Sequence, residues 1–284
     1  MPGEFGGGII EINTKAVPSE RILDFSFSSG YNSETSLSDG LLYDGGSDDD
    51  LGYDDGTRDF PSFVQRAING NQKLDRSNFK TYELANAGRE FVNSELWVIQ
   101  EGDVPLDNSV SFTYGDELDI GIEDILDDES ATIGVLLTAG VKSSWETQEG
   151  IRQTGDIQGQ GDGTSIVIRG NDKTFKSTSN NVTTYLMAVA GIETDTAELK
   201  YTGMYIHKGT KEARTLQGYD TSDSGNVRED FTEFFERELT NHQLNYNYIF
   251  QNDMELDVRL AGGDASRYAP YERVVFYEDT DDRG

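Results

Sequence analysis

A strict alternation of apolar and polar residues is the feature that most constrains this chain. Successive side chains of a β-strand point to opposite faces, so a period of two indicates strands with one apolar and one polar face. The alternation recurs along the whole sequence and predicts an all-β chain. Seven segments carry it: 22–31, 108–116, 132–145, 182–193, 197–208, 238–251 and 254–261.

The connections between these segments alternate between long and short. Long connections at 35–107, 146–181 and 209–232 contrast with tight turns at 194–196 and 252–253. An antiparallel meander whose long loops all project from one side is the plan of outer-membrane barrels. A soluble sandwich also alternates, with turns at both ends about every 8–12 residues, and the alternation alone leaves it open.

The composition excludes several classes of protein. The 53 acidic residues against 23 basic ones give a net charge of −30, which repels a phosphate backbone, so we expect no nucleic-acid partner. The chain has no Cys and two distant His, which excludes disulfides, zinc ribbons and cysteine nucleophiles. Its 14 Tyr and 14 Phe are too many for a disordered acidic chain. We therefore expect a folded protein.

Three motifs, in order along the chain, point to a family. Residues 1–15, MPGEFGGGIIEINTK, resemble the carboxyl end of the plug domain of TonB-dependent outer-membrane receptors, just before the first barrel strand. Residues 39–61, DGLLYDGGSDDDLGYDDGTRDFP, resemble the first extracellular region of one bacterial subgroup of these receptors. Residues 234–250 and 254–267 resemble paired mid-barrel strands of the family.

The resemblance implies a large transmembrane β-barrel of about 22 strands with a plugged lumen. Seven strands can supply only part of it, so the chain is expected to be an internal fragment. Residues 1–18 would end the plug, and residues 19–284 would form the amino-terminal part of the wall, with extracellular loops at 35–107, 146–181 and 209–232. We expect residues 4–15 to lie inside the barrel as a plug remnant rather than as an additional wall strand.

The barrel interpretation also predicts where the apolar side chains point. All of them should share the face of the sheet that contacts lipid. These are Leu23, Phe25 and Phe27; Val110, Phe112 and Tyr114; Tyr246, Tyr248 and Phe250; and Leu256, Val258 and Leu260.

By resemblance, the parent protein imports a nutrient across the outer membrane of a Gram-negative bacterium into the periplasm. The family takes siderophores, cobalamin and oligosaccharides, and the sequence identifies neither the ligand nor its contact residues. The implied partners are outer-membrane lipid, a small-molecule or glycan ligand, and the TonB complex, which binds through an amino-terminal region that this chain lacks. We expect no enzymatic activity, since no nucleophile motif is present.

An acidic stretch from Asp44 to Asp55 suggests a possible cofactor. Calcium takes six to eight oxygen ligands in flexible loops, and Asp48, Asp50 and Asp54 are the candidate ligands. The alternative is an acidic loop surrounded by water. A calcium site would suit a second function, a secreted and calcium-stabilised all-β adhesion module, which would need no detergent.

Overall fold

A computed structural model of the chain describes residues 18, 20–92, 96, 98–120, 131–160, 163–220 and 225–278. Most of these residues form long β-strands, and two short helices lie between the first and the fourth strand in the sequence. The strands are β1 (Ile22–Gly30), β2 (Asp39–Leu42), β3 (Gln100–Asp103), β4 (Asp107–Ile120), β5 (Ala131–Gln160), β6 (Gly163–Glu193), β7 (Ala197–Asp220), β8 (Gly225–Ile249) and β9 (Glu255–Glu278). The helices are α1 (Ser62–Asn69) and α2 (Thr81–Val92).

Seven of the strands form one antiparallel sheet in the order β1-β4-β5-β6-β7-β8-β9, and β2 pairs with β3 separately. Each predicted segment is a strand of the larger sheet, which confirms the all-β antiparallel meander. Within the described residues this sheet is open, with β1 and β9 at its edges. Residues 4–15, the predicted plug remnant, lie outside the described part of the chain.

Two of the three predicted loops are wrong. Most of 146–181 and 209–232 is paired strand. The pairing of β5 with β6 continues as far as Gln160 and Gly163, and the pairing of β7 with β8 continues as far as Asp220 and Gly225. The many Gly, Asp, Ser and Gln residues of these segments favoured the prediction of irregular loops. Their Thr and other strand-forming residues nevertheless pair across each hairpin, so the strands extend well beyond the apolar segments.

The segment 31–106, which we call the insert, connects β1 to β4. It holds the β2–β3 pair, a short 3₁₀ turn at Asp49–Leu51 and both helices, none of which a period of two could predict. Val64 and Ala67 form the buried side of α1, at helical spacing. No helix in the described residues is long and apolar enough to cross a membrane.

The pairing register carries one face across the whole sheet. Phe27 pairs with Val110, and the pairing continues through β5 and β6 to His207 on β7. Alternate residues of β7 share that face back to Leu199, which lies opposite Tyr246 of β8. As predicted, the apolar sets share one face, here called the apolar face; Phe250 lies beyond the end of β8. They are Leu23, Phe25, Phe27, Val110, Phe112, Tyr114, Tyr246, Tyr248, Leu256, Val258 and Leu260.

The opposite face, here called the polar face, carries rows of charged side chains. One of these, the acidic row, runs across β5 to β9 through Glu146, Ser179, Glu212, Glu233 and Glu272, each directly opposite the next. Burial, followed by the negative charge of Glu233, raises the pKa of the Glu212 carboxyl to about 7. The row therefore holds a proton at Glu212 in mildly acidic solution.

The raised pKa of Glu212 predicts that stability falls as the pH rises. The carboxyl ionises near pH 4.5 in the unfolded chain and near pH 7 in the folded chain, so only the folded state keeps the proton between these values. The free energy of unfolding should decrease by up to ~3 kcal/mol across this range, at ~1.4 kcal/mol per pKa unit. Glu212→Gln should remove this part of the pH dependence.

Unfolding free energies measured at pH 5 and pH 8 in one nonionic detergent test the prediction. Glu117→Gln, at an exposed position on the polar side of β4, is the control and should keep the pH dependence of the original chain. If Glu212→Gln and Glu117→Gln show the same pH dependence, the explanation by Glu212 is incorrect.

Candidate functional site

A buried arginine holds the insert against the sheet. The Arg58 guanidinium is fully buried and donates hydrogen bonds to Asp49 (Nη2–Oδ2 2.7 Å) and Asp54 (Nη1–Oδ1 3.2 Å). It also lies over the ring of Phe234 on β8, with its Cζ 3.9 Å from the ring centroid. Lys211 of β7 approaches Asp49 at 2.9 Å. The acidic insert therefore uses its own arginine and a lysine of the sheet to neutralise its buried carboxylates.

The pKa of Arg58 reflects this environment. Burial by itself would lower the pKa, but the hydrogen bond and charge of Asp49, together with Asp54, raise it above the usual value. The guanidinium stays charged, as a buried cation with two carboxylate partners can.

The predicted calcium ligands do not converge on one point. Asp54 accepts the hydrogen bond from Arg58, whereas Asp48 and Asp50 are exposed. In the described residues no group of three or more Asp, Glu or His side chains is placed to hold a metal ion. A calcium site at Asp48, Asp50 and Asp54 stays a prediction. Sequence analysis missed Arg58, because Asp54 and Arg58 share no helix and Phe234 lies far away in the sequence.

A second contact joins the insert to β7 through the backbone. The carbonyl of Gly52 lies 2.8 Å from Nε2 of the buried His207, and the ring of Tyr53 stacks on the imidazole at 3.8 Å. Gly52 has a φ of +83°, and a Cβ at Gly209 would lie 2.2 Å from its carbonyl oxygen. Two glycines therefore allow two backbones to approach closely, as no larger residue would.

The β2–β3 pair, together with Tyr43 just after β2, makes further contacts with the large sheet. The backbone N–H of Leu41 donates to Oγ1 of Thr178 on β6 at 2.9 Å, and the Tyr43 hydroxyl donates to the Glu233 carbonyl at 2.7 Å. The side chains of Leu41 and Tyr43 form a small apolar core with Leu96, Ala213 and Phe234. The insert therefore covers β6, β7 and β8 on the side of the sheet that carries the apolar face.

A cavity of about 540 Å³ lies between the β2–β3 pair and the long strands. This volume is in the ordinary range for small-ligand sites, ~300–1,000 Å³. Residues from all three segments predicted as extracellular loops meet here. The insert contributes Leu41, Ile99 and Glu101; residues 146–181 contribute Glu149, Gly150, Ile151, Thr174, Phe175 and Lys176; and residues 209–232 contribute Thr215, Gln217 and Arg228.

The cavity combines aliphatic side chains with hydrogen-bonding groups of both charges. Glu149 and Lys176 form an ion pair across its wall at 3.0 Å. Arg228 is held by Asp230, which accepts a hydrogen bond from Nε at 2.9 Å. An apolar surface with a few oriented polar groups is suited to reversible binding of a small ligand that has both apolar and hydrogen-bonding parts.

Replacing Gly209 should detach the insert. In Gly209→Ala the new methyl group would overlap the backbone of Gly52, and because Gly209 is paired on both sides within the sheet, the insert must move away from β7. We expect limited proteolysis to cleave the insert of this variant much faster than that of the original chain. Gly262→Ala on β9 is the matched control, since nothing lies within 4 Å of its added Cβ. Equal cleavage of the two variants would contradict the close contact.

Comparison of the chain with protein-family models, with curated proteins and with solved structures finds no match. The likeness to TonB-dependent receptors rests on the sequence motifs alone. Function must therefore be inferred from the sheet, the insert and the cavity.

Proposed function

We propose that the chain forms part of the wall of a TonB-dependent outer-membrane receptor that imports a nutrient into the periplasm. The observation that carries the proposal is the apolar face, which continues across all seven strands and is exposed. Phe25 is 71% exposed and Leu260 is 61% exposed, at opposite edges of the sheet. A contiguous apolar surface of this extent needs a cover, and lipid hydrocarbon can cover all of it at once.

The height of the apolar face supports this interpretation. On β7 it extends from Ala197 to Tyr205, which spans ~27 Å at ~3.4 Å per residue. A strand tilted by ~40° would then cross ~21 Å of bilayer, near the ~25 Å apolar band of outer-membrane barrels. Tyr205 lies at one limit of the face, and Tyr246 and Tyr248 lie at the other, where barrels place their aromatic girdles.

The polar face would line the lumen, as alternation in a membrane barrel requires. Strands β5 to β8 continue beyond the apolar face at one end only, past His207 on β7. That end would project from the cell and would carry the insert and the cavity. Because the insert lies on the apolar side, it would rest outside the wall at the level of the lipid head groups.

The cavity is the best candidate for ligand contact in this chain. Its lining carries two acidic and two basic side chains, those of Glu101, Glu149, Lys176 and Arg228. The net charge of −30 of the whole chain nevertheless disfavours a small free anion there and suits a neutral or cationic ligand. Siderophore complexes, cobalamin and oligosaccharides are the proposed substrate classes. Coupling to the TonB complex would pass through the plug.

A charge on the apolar face should oppose membrane insertion. Phe25→Arg places a cation in the proposed lipid contact and should reduce insertion of the chain into lipid vesicles by ~2–4 kcal/mol if the site lies near the bilayer centre. Ser26→Arg is the matched control, because the adjacent side chain lies on the polar face and is also exposed. Flotation of the chain with vesicles measures the inserted fraction. Equal insertion of both variants would contradict a membrane wall.

Uptake by cells that carry the full-length gene tests the import function. Ile151→Arg would fill the cavity with a charged side chain and should lower uptake of the nutrient by about tenfold, or ~1.4 kcal/mol. Gln65→Arg, on the exposed side of α1, is the control and should leave uptake unchanged. Deletion of residues 4–15 should abolish uptake while the protein still reaches the outer membrane.

The receptor proposal fails if neither change alters uptake of any siderophore, cobalamin or oligosaccharide in cells where the protein reaches the outer membrane. The adhesion module then becomes the better assignment. It predicts that the chain stays soluble without detergent and that calcium raises its Tm.

A further inference from the structure

A buried histidine nitrogen beneath the insert has no hydrogen-bond partner among the described residues. The side chain of His207 on β7 is only 3% exposed. Its Nε2 lies 2.8 Å from the carbonyl oxygen of Gly52, and because a carbonyl can only accept, Nε2 carries the hydrogen and donates it. In the neutral ring Nδ1 then presents a lone pair, and this buried atom is the unpaired one. A buried polar atom of this kind is unfavourable, and a bound ion is one explanation for it.

Three oxygen-bearing side chains lie next to this nitrogen. Nδ1 of His207 is 3.9 Å from Oε2 of Glu238, which lies directly opposite on β8. The Tyr205 hydroxyl donates to the same Oε2 at 3.1 Å, and the Tyr53 hydroxyl lies 3.1 Å from that of Tyr205. We call Tyr53, Tyr205, His207 and Glu238 the His207 cluster. It joins one residue of the insert to three residues of the sheet.

The hydrogen bond from Nε2 prepares Nδ1 as a metal ligand. A histidine that binds a metal almost always donates its other ring N–H to a carbonyl, a carboxylate or water, which fixes the tautomer and the orientation of the ring. The Gly52 carbonyl has this position here, and the stacked ring of Tyr53 covers one face of the imidazole. Rotation of the ring would break both contacts, so Nδ1 stays directed toward the cluster.

The distances in the cluster suit a small ion. Zinc binds histidine nitrogen at ~2.0–2.1 Å and carboxylate oxygen at ~2.0–2.2 Å, so two such bonds can span the 3.9 Å between Nδ1 of His207 and Oε2 of Glu238. The side chain of Glu238 is 45% exposed. It can therefore move closer to the ion, and it gives the ion a route from solvent to the buried nitrogen.

The surrounding charges favour a cation. Glu236 lies on the same face of β8 as Glu238, two residues away, and the whole chain has a net charge of −30. Arg58 and Lys211, the cations of the insert contact described above, both pair with Asp49. A field of this sign raises the local concentration of cations.

We infer that the His207 cluster binds a divalent transition-metal ion such as zinc, through Nδ1 of His207, the carboxylate of Glu238 and the hydroxyl oxygen of Tyr205. A site that mixes imidazole with oxygen ligands suits zinc and its neighbours, whereas calcium and magnesium prefer oxygen alone. The cluster is separate from the acidic residues predicted to bind calcium. The inference rests on the contact between the insert and the sheet, and it does not depend on the import function.

The bound ion would strengthen attachment of the insert. A metal bond at Nδ1 draws electrons from the imidazole of His207, so its Nε2–H becomes a stronger donor to the Gly52 carbonyl. Tyr53 is held in the same cluster by its stacking on the ring and by its contact with Tyr205. Zinc should therefore slow proteolytic cleavage of the insert.

Titration calorimetry of Zn²⁺ into the full chain, folded in nonionic detergent, tests the inference. Excess Mg²⁺ in the buffer occupies the sites on the acidic surface that offer oxygen alone. We expect saturable binding of Zn²⁺ under these conditions, and slower proteolysis of the insert with Zn²⁺ than with Mg²⁺. Glu238→Gln and His207→Gln should each lower the affinity at least ~10-fold, since each removes a ligand.

His242→Gln is the matched control. His242 is the other histidine of the chain, is exposed on β8, and has its Nδ1 2.7 Å from the Tyr201 hydroxyl. Its replacement should leave the affinity unchanged. Glu238→Gln keeps an acceptor for Tyr205 at a half-buried position, so it should fold, which circular dichroism verifies. Two results would overturn the inference: no saturable binding of Zn²⁺ in excess Mg²⁺, or equal affinities of Glu238→Gln and His242→Gln.

Discussion

The pairing register of the seven-stranded sheet determines the character of both its surfaces. Side chains alternate along each strand, and within the described residues of the sheet the register shifts only between Gln153 and Gly155 and between Phe234 and Glu236. The register therefore determines which face of the sheet each side chain occupies, from β1 to β9. The continuous apolar face and the acidic row both result from this constraint, because each collects side chains from segments far apart in the sequence.

Attachment of the insert adds a second level of organisation. Arg58 brings its charge into the interface together with Asp49 and Asp54, so an acidic segment can dock without leaving its buried carboxylates unpaired. The close approach of Gly52 and Gly209 then sets how near the insert lies to β7. The cavity exists because these contacts hold the β2–β3 pair at a fixed distance from the long strands.

The sequence predicted the parts of the fold that have a clear period of two. All seven strands and the shared apolar face were found this way, because apolar residues at alternate positions can be recognised in a single segment. The outer halves of β5 to β8 were missed, since their apolar residues are few and do not recur at alternate positions. The contact of Arg58 with Phe234 depends on docking of the insert, and the pairing of Arg237 with Arg267 depends on the register, so neither can be recognised in a single segment.

The order of the strands has a consequence for folding. Most neighbouring strands of the sheet are joined by short turns, but β1 and β4 are separated by the whole insert. Closing so long a connection costs ~3 kcal/mol more chain entropy than closing the turn at 194–196. Pairing of Asp39 with Asp103 brings the two ends of the insert together, so only the short segments outside this pair remain to be closed. Once the insert has folded onto β6 to β8, its two ends hold β1 beside β4, so we expect β1 to pair with the sheet only after the insert has docked.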